Sequence, residues 1–272
     1  MALIKQRGIN QTFGTAFSYF KGDHRQYLSE IGGRRVLSLD VSDFDMSWLR
    51  WQMHSAFDVL RSLIDMPSGH SQVWDRLVEY FTDTPVLNNR VVYSIGGILS
   101  GSAFTHLIGC TLNAILLEYL NQEPLDWYRV YGDDSIIVTD KPIRWFIDRA
   151  WDMGFTISPT KSRVGIDWLG YRLDSGVPRV IDVDKRFASL LNPESPDTTD
   201  SAFAGRIIGH LIASLGDARI ANVLIKLLEA NPVAVHPGLV PRDVHKFMLS
   251  MGVPDHVASW RETFNRLMLW VV

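Results

Sequence analysis

The sequence predicts an α+β fold: a split β-α-β-β-α-β antiparallel sheet on two helices, followed by an all-helical part. Three observations predict it. A Gly-Asp-Asp sits inside the apolar run from Trp127 to Val138, and Gly and Asp tolerate the tight turn that would join two buried strands. Apolar residues flank this hairpin at helical spacing on both sides, with short β-like runs beyond them. After about residue 173 the pattern changes to helices separated by Gly and Pro.

In chain order, Val36-Leu37-Ser38-Leu39 predicts a short strand that ends at Asp40. Met46, Leu49, Met53, Phe57, Leu60 and Ile64 recur at three and four, which predicts an amphipathic helix. Residues 66–90 are punctuated by Pro67, Gly69, Pro85, Asn88 and Asn89 and are expected to be an irregular insertion. Val91–Ile95 predicts a strand leading into a Gly96-Gly97 turn, and Ser102–Leu120 a second helix. The apolar stretch Phe104–Leu120 carries His106, Asn113 and Glu118, which fits a core helix better than a membrane span. Pro142 is placed to open a third helix with apolar Ile143, Phe146, Ile147, Ala150 and Met153, and Gly154 to end it. Phe155–Ser158 and Ile166–Leu173 are the last expected strands. The loop 192–200 precedes helical patterns at about 201–215, 217–230, 241–251 and 254–269. In this topology Asp40 and Asp133 share one end of the sheet.

The 272-residue chain is 46% apolar and 21% charged, a globular composition. Its one cysteine, Cys110, excludes an internal disulfide, which suits a reducing compartment; a buried apolar role is expected for it. No signal-peptide pattern opens the chain. The net charge of −3 argues against a nucleic-acid binder, but the distribution does not. Residues 1–35 carry a net +4 and residues 36–140 a net −9. A basic flank beside an acidic centre suits an anionic polymer outside and divalent cations within.

Four motifs carry the chemistry. Asp40-Val41-Ser42-Asp43-Phe44-Asp45 offers a carboxylate at a strand end and another five residues on; Ser100-Gly101-Ser102, Thr105 and Asn113 follow a glycine-rich turn into a helix. Gly132-Asp133-Asp134 lifts two carboxylates to a hairpin tip, and Lys161 follows the last helix–strand unit. Adjacent carboxylates on a rigid element suit Mg²⁺, which takes oxygen ligands and leaves positions for water and phosphate. Clustered carboxylates repel one another without cations. Thr105, Gly109 and Asn113 lie at i, i+4 and i+8 on one helix face.

In order and spacing these motifs, with Trp168-Leu169-Gly170-Tyr171 after them, resemble the palm motifs of viral RNA-dependent RNA polymerases over about residues 36–172. The Ser-Gly-Ser…Thr…Asn spacing is most similar to polymerases of double-stranded RNA viruses of the partitivirus and picobirnavirus kind. The resemblance implies a polymerase palm followed by an all-helical thumb. It divides the chain into a basic fingers remnant at 1–35, a palm at 36–172 with a fingers insertion at about 66–95, and a helical thumb at 173–272. It implies RNA-templated RNA synthesis with two Mg²⁺ ions, Mn²⁺ substituting, held by Asp40 and Asp133 with Asp134 auxiliary. Asp45 and Asn113 would bind the ribose 2′-hydroxyl, and Ser100 and Gly101, beside Thr105, would guide template and nucleotide. Lys161 would be the general acid and 168–171 a primer grip.

Implied partners are RNA template and product and nucleoside triphosphates, with a viral capsid and a second chain supplying the fingers as further candidates. The implied location is the host cytoplasm or the virion. Only 39 residues precede Asp40, so the upstream basic fingers motif is expected to be missing. Other readings remain open at this point: a reverse transcriptase, disfavoured by Asp45 and Gly132; a non-catalytic palm remnant, disfavoured by the intact Asp40, Asp133, Asp134, Asn113 and Lys161 but favoured by the missing upstream region; and an incomplete polymerase needing a partner chain.

Overall fold

In this computed structural model, the described residues are 12–230 apart from 68, 84, 89 and 95, together with 261, 264, 265 and 268. They divide into two compact units. The first comprises the described residues up to Phe17 with Ile31–Leu169, and the second Ser18–Glu30 with the described residues from Gly170.

The first unit is built on a four-stranded antiparallel sheet. Its strands are β1 (Val36–Leu39), β4 (Tyr128–Tyr131), β5 (Asp134–Val138) and β6 (Arg163–Val164), in the order β4-β5-β1-β6. This is the split β-α-β-β-α-β order, with the first strand between the third and the fourth. β1 is buried along its whole length, which explains its continuous apolar run with only Ser38 polar. Ser38 is satisfied: its Oγ donates to the Gly165 carbonyl at 2.9 Å and accepts the Asp167 N–H at 2.7 Å.

Helix α2 (Arg50–Ser62) buries Met53, Ala56, Phe57 and Leu60 and packs on α4 (Thr105–Asn121). α4 packs in turn on β4 and on α5 (Ile143–Asp152). It carries ten buried residues on 17, so it is apolar nearly all round, as a helix covered on several sides must be. Pro142 stands at the N-cap of α5, and Gly154, at φ +84°, follows its end. The stripe expected from Met46 to Ile64 is longer than the helix. Met46 lies in a 3₁₀ turn (Phe44–Met46) before it, and Met46, Leu49 and Ile64 are exposed.

Several expectations are corrected. Residues 66–90 are not irregular: Ser71–Asp83 forms helix α3, and Pro85–Asn88 (β2) pairs with Val91–Ser94 (β3), Ile95 lying outside the described residues. Trp74, Val78 and Phe81, spaced four and three, bury one face of α3. Trp74 and Phe81 meet Phe57 edge-on at 5.8 and 5.3 Å between ring centres. Phe155–Ser158 is not a strand, making only the isolated bridge Val41–Ile157; the fourth strand is β6, paired with Leu37 and Ser38. Ile166–Leu173 is broken by Leu169 and Gly170, both at positive φ, into β7 (Asp167–Trp168) and β8 (Tyr171–Asp174).

In the second unit, α1 (Asp23–Ile31, all but its last residue), the hairpin of β8 and β9 (Val177–Val180), and α6 (Val183–Leu191) were not expected. Its described residues are therefore not all helical. α7 (Asp200–Ala213) and α8 (Ala218–Ala230) match the first two helical patterns, and Thr199 caps α7 by accepting the Ala202 N–H. The pattern at 241–251 lies outside the described residues, as does that at 254–269 save residues 261, 264, 265 and 268, which are helical.

Candidate active site

β1 and β5 pair with Leu39 opposite Ser135, so the next residues along, Asp40 and Asp134, fall side by side at the same sheet end. The Ser135 hydroxyl locks this end by donating to the Leu39 carbonyl at 3.0 Å. β4 and β5 close with Tyr131 opposite Asp134, leaving Gly132-Asp133 as a two-residue turn. Gly132 has φ +61° and Asp133 is not in the left-handed region, the φ pattern of a type II′ turn with Gly first. Asp133 is thereby set exposed at the tip.

Asp40 is gripped by the loop after α5. Its carbonyl accepts the Ser158 N–H at 2.8 Å, and its own N–H donates to Ser162 Oγ at 3.0 Å. Lys161 lies on the same loop, with Nζ 3.6 Å from Asp40 Oδ2. That carboxylate oxygen is buried and has no hydrogen-bond partner.

The carboxylates sense one another. Burial pushes the Asp134 carboxyl up to about 7, and the negative charges of Asp133 and Asp40 add to the shift. Burial also raises Asp45, again with Asp133 contributing. Asp45 stands in the 3₁₀ turn after β1, which Asp43 enters at φ +50°. The Asp45 carbonyl accepts the Ile98 N–H at 2.7 Å. A side chain on Gly97, at φ +95°, would overlap that carbonyl oxygen, so this position requires glycine.

From Gly97 the chain passes through Ser100 and Gly101, both exposed, into α4. Thr105 is tied down, its hydroxyl donating to the Leu99 carbonyl. Ser100 and Gly101 line a cavity of about 590 Å³ whose other walls include Tyr80, Phe81 and Phe104. Asn113 is fully buried beneath the turn. Its Nδ2 donates to the carbonyls of Gly132 at 2.9 Å and Asp133 at 3.1 Å and reaches that of Asp134 at 3.4 Å. Its Oδ1 is buried with no hydrogen-bond partner.

The structure thus gathers Asp40, Asp45, Asp133, Asp134, Asn113 and Lys161 around one turn. Ser100 and Gly101 lie on the loop before α4. Among the described residues no three His, Cys, Asp or Glu side chains stand close enough together to enclose a metal ion. The donor set is nevertheless all oxygen, and Asp40 Oδ2, buried without a hydrogen bond, already faces one cation in the Lys161 ammonium at 3.6 Å, so these residues fit a hard divalent ion. Sequence reasoning missed Ser158, Ser162, Gly97 and Cys110. Cys110 lies three residues before Asn113, on the same face of α4, and that spacing was the available signal.

The profile of the family described as viral RNA-dependent RNA polymerase matches residues 8–174. An RNA-directed RNA polymerase of Cryptosporidium parvum virus 1 is 26% identical over 206 residues, covering 64% of this chain and 39% of that protein. The chain therefore spans about two fifths of that relative's length. Among solved structures, a sicinivirus 3Dpol RNA-dependent RNA polymerase aligns with a TM-score of 0.63 at 14% identity, over 98% of this chain and 59% of the other. The RNA-dependent RNA polymerase of a human picobirnavirus aligns with a TM-score of 0.58 at 16% identity, over 72% and 40%. These structural likenesses establish a shared fold. With the family profile covering more than half of the sequence, the chain belongs to the viral RNA-dependent RNA polymerase family.

Proposed function

We propose that the chain carries the palm and thumb of a polymerase that extends RNA on an RNA template during replication of a viral genome. The observation that supports it is the pairing of β1 with β5, which sets Asp40 beside Asp134 and brings Asp133 to the same sheet end on a rigid turn. Partners in this reading are template and product RNA and nucleoside triphosphates, and its place is the host cytoplasm or the virion.

Asp40 and Asp133 would hold the divalent ions, with Asp134 auxiliary. When bound, two Mg²⁺ (or Mn²⁺) ions activate the attacking 3′-oxygen and stabilise the leaving pyrophosphate. The chain's own residues do the rest. Asp45, on its fixed turn, binds the ribose hydroxyl that separates RNA from DNA, whereas Asn113, expected to share that contact, is fully buried with its Nδ2 on the turn carbonyls and acts from beneath the turn. Ser100 and Gly101, both exposed and with Gly101 at φ +88°, present their backbone to template and incoming nucleotide. As the 3′-hydroxyl loses its proton to solvent and its oxygen bonds to the α-phosphorus, the bond from that phosphorus to the bridging oxygen breaks. The Lys161 ammonium gives its proton to the departing pyrophosphate and regains one from solvent. Its 3.6 Å approach to Asp40 supports its reach into the site.

The test is nucleotide incorporation on a primed RNA template with Mg²⁺ or Mn²⁺, run beside Asp133→Asn. Incorporation that disappears in the variant supports the reading. Incorporation that survives in Asp133→Asn overturns it.

A further inference from the structure

Three residues of α4 meet the Gly132-Asp133-Asp134 turn from below. Gly109 approaches it so closely that a Cβ there would stand 3.6 Å from the Gly132 Cα. Cys110 Sγ accepts the Gly132 N–H at 3.1 Å. Asn113, one helical turn on, donates to the carbonyls of Gly132 and Asp133. The peptide groups of a two-residue turn cannot all pair within their own hairpin. Here the unpaired groups find partners on a neighbouring helix.

Cys110 is in turn oriented. The His106 ring, one turn earlier, places Nε2 3.6 Å from Cys110 Sγ. The His106 ring also meets the Tyr131 ring, on the residue before the turn, at 4.3 Å between centres. The sulfur is fully buried. Burial pushes the thiol up to about 11 and the His106 imidazole below its ordinary value, so both groups are neutral near pH 7. A neutral thiol can donate to the imidazole while its lone pair accepts from Gly132.

We propose that Cys110, oriented by His106 and acting with Asn113, is a positioning residue that fixes the height of the Gly132-Asp133-Asp134 turn and hence the placement of the Asp133 carboxylate. This rests on the reading of Asp133 as a metal ligand. Partners that orient a ligating side chain from behind change metal affinity or activity about 10- to 100-fold when removed. Neither Cys110 nor His106 would touch substrate or metal, so their effect passes through the turn.

The experiment measures Mn²⁺ binding by the loss of the free-ion electron paramagnetic resonance signal, for the whole chain and for Asp133→Asn, Cys110→Ala, Cys110→Ser and Asn113→Ala. Thermal unfolding and single-nucleotide kcat and KM are recorded alongside. The expected result is that Cys110→Ala and Asn113→Ala weaken Mn²⁺ binding and lower kcat about tenfold or more. Nucleotide KM should stay within about twofold in Cys110→Ala, because a positioning loss falls on the transition state. Serine retains an acceptor, so Cys110→Ser should recover most of both losses. Mn²⁺ affinity in Cys110→Ala equal to that of the unaltered chain overturns the inference, as does a serine variant no better than alanine. Should Cys110→Ala fail to fold, the serine variant decides alone: Mn²⁺ binding as weak as in Asp133→Asn overturns the proposal, and near-normal binding supports it. A parent chain that binds Mn²⁺ no better than Asp133→Asn overturns the metal-site reading and the inference with it.

Discussion

The Lys161 ammonium lies 3.6 Å from Asp40 Oδ2, on an oxygen that otherwise has no hydrogen-bond partner. The lysine side chain is 70% exposed, so the pair adds little to stability. Lys161→Met is expected to change unfolding free energy by less than about 1 kcal/mol. It should lower incorporation by about 100-fold or more if the lysine is the proton donor. Urea unfolding and single-turnover incorporation on the same preparations check both. A large stability loss with normal turnover would assign Lys161 a structural role.

Asp133→Asn and Asp40→Asn are expected to abolish incorporation while leaving the thermal midpoint of the metal-free protein unchanged or slightly higher. Each removes one negative charge that bears on the half-buried Asp134. Differential scanning calorimetry in a chelator distinguishes this from a folding defect, which would lower the midpoint.

Gly97→Ala should be damaging through the backbone of Asp45 rather than through any carboxylate. The new Cβ would overlap the Asp45 carbonyl oxygen, and φ +95° is itself unfavourable for alanine. A loss of roughly 2 kcal/mol or more is expected, because the clash with backbone and the unfavourable φ act together. A ratio of ribo- to deoxynucleotide use that also falls would link the displaced turn to Asp45.

A pH effect is expected in the second unit. Asp217, buried at the N-cap of α8, accepts from Arg219 Nε at 2.9 Å and from the backbone N–H groups of Arg219 and Val180. Chiefly the Arg219 side-chain hydrogen bond holds its carboxyl below the usual carboxylate range. A carboxyl depressed on folding stabilises the fold above its unfolded value of 3.8. That contribution is lost as pH falls through the lower folded value. Asp217→Asn should therefore cost about 2 kcal/mol at pH 7. The gap to the parent chain should shrink as the pH drops below 4, and denaturant titrations across that range would show it.

What the sequence disclosed follows the range of the forces involved. β1, the β4–β5 hairpin and α4 were legible because each is a contiguous apolar run with its turn residues in place. The shared sheet end of Asp40 and the turn followed from topology alone. α3 was hidden because Pro67, Gly69 and Pro85 stand around it, although Trp74, Val78 and Phe81 carry helical spacing. β6 has two residues, too few for any period, and is held by pairing with a strand more than 120 positions earlier. The carboxylates of the site were legible as chemistry. Their supports were not: Ser162 on Asp40 and Cys110 on Gly132 are side chains of ordinary type, given meaning only by the fold.

Between Asp40 and Asp45 the chain leaves the sheet, turns through Asp43 at φ +50° and is pinned again where Ile98 meets the Asp45 carbonyl. Both ends of this six-residue span are thus clamped to different parts of the molecule. The span acts as a ruler, so its length is less free to drift than its composition. Side chains such as Val41 or Ser42 can be exchanged for others of similar size, whereas inserting or deleting one residue would move one carboxylate by about 3.5 Å relative to the other. Surface loops commonly absorb such changes in length, but this loop cannot.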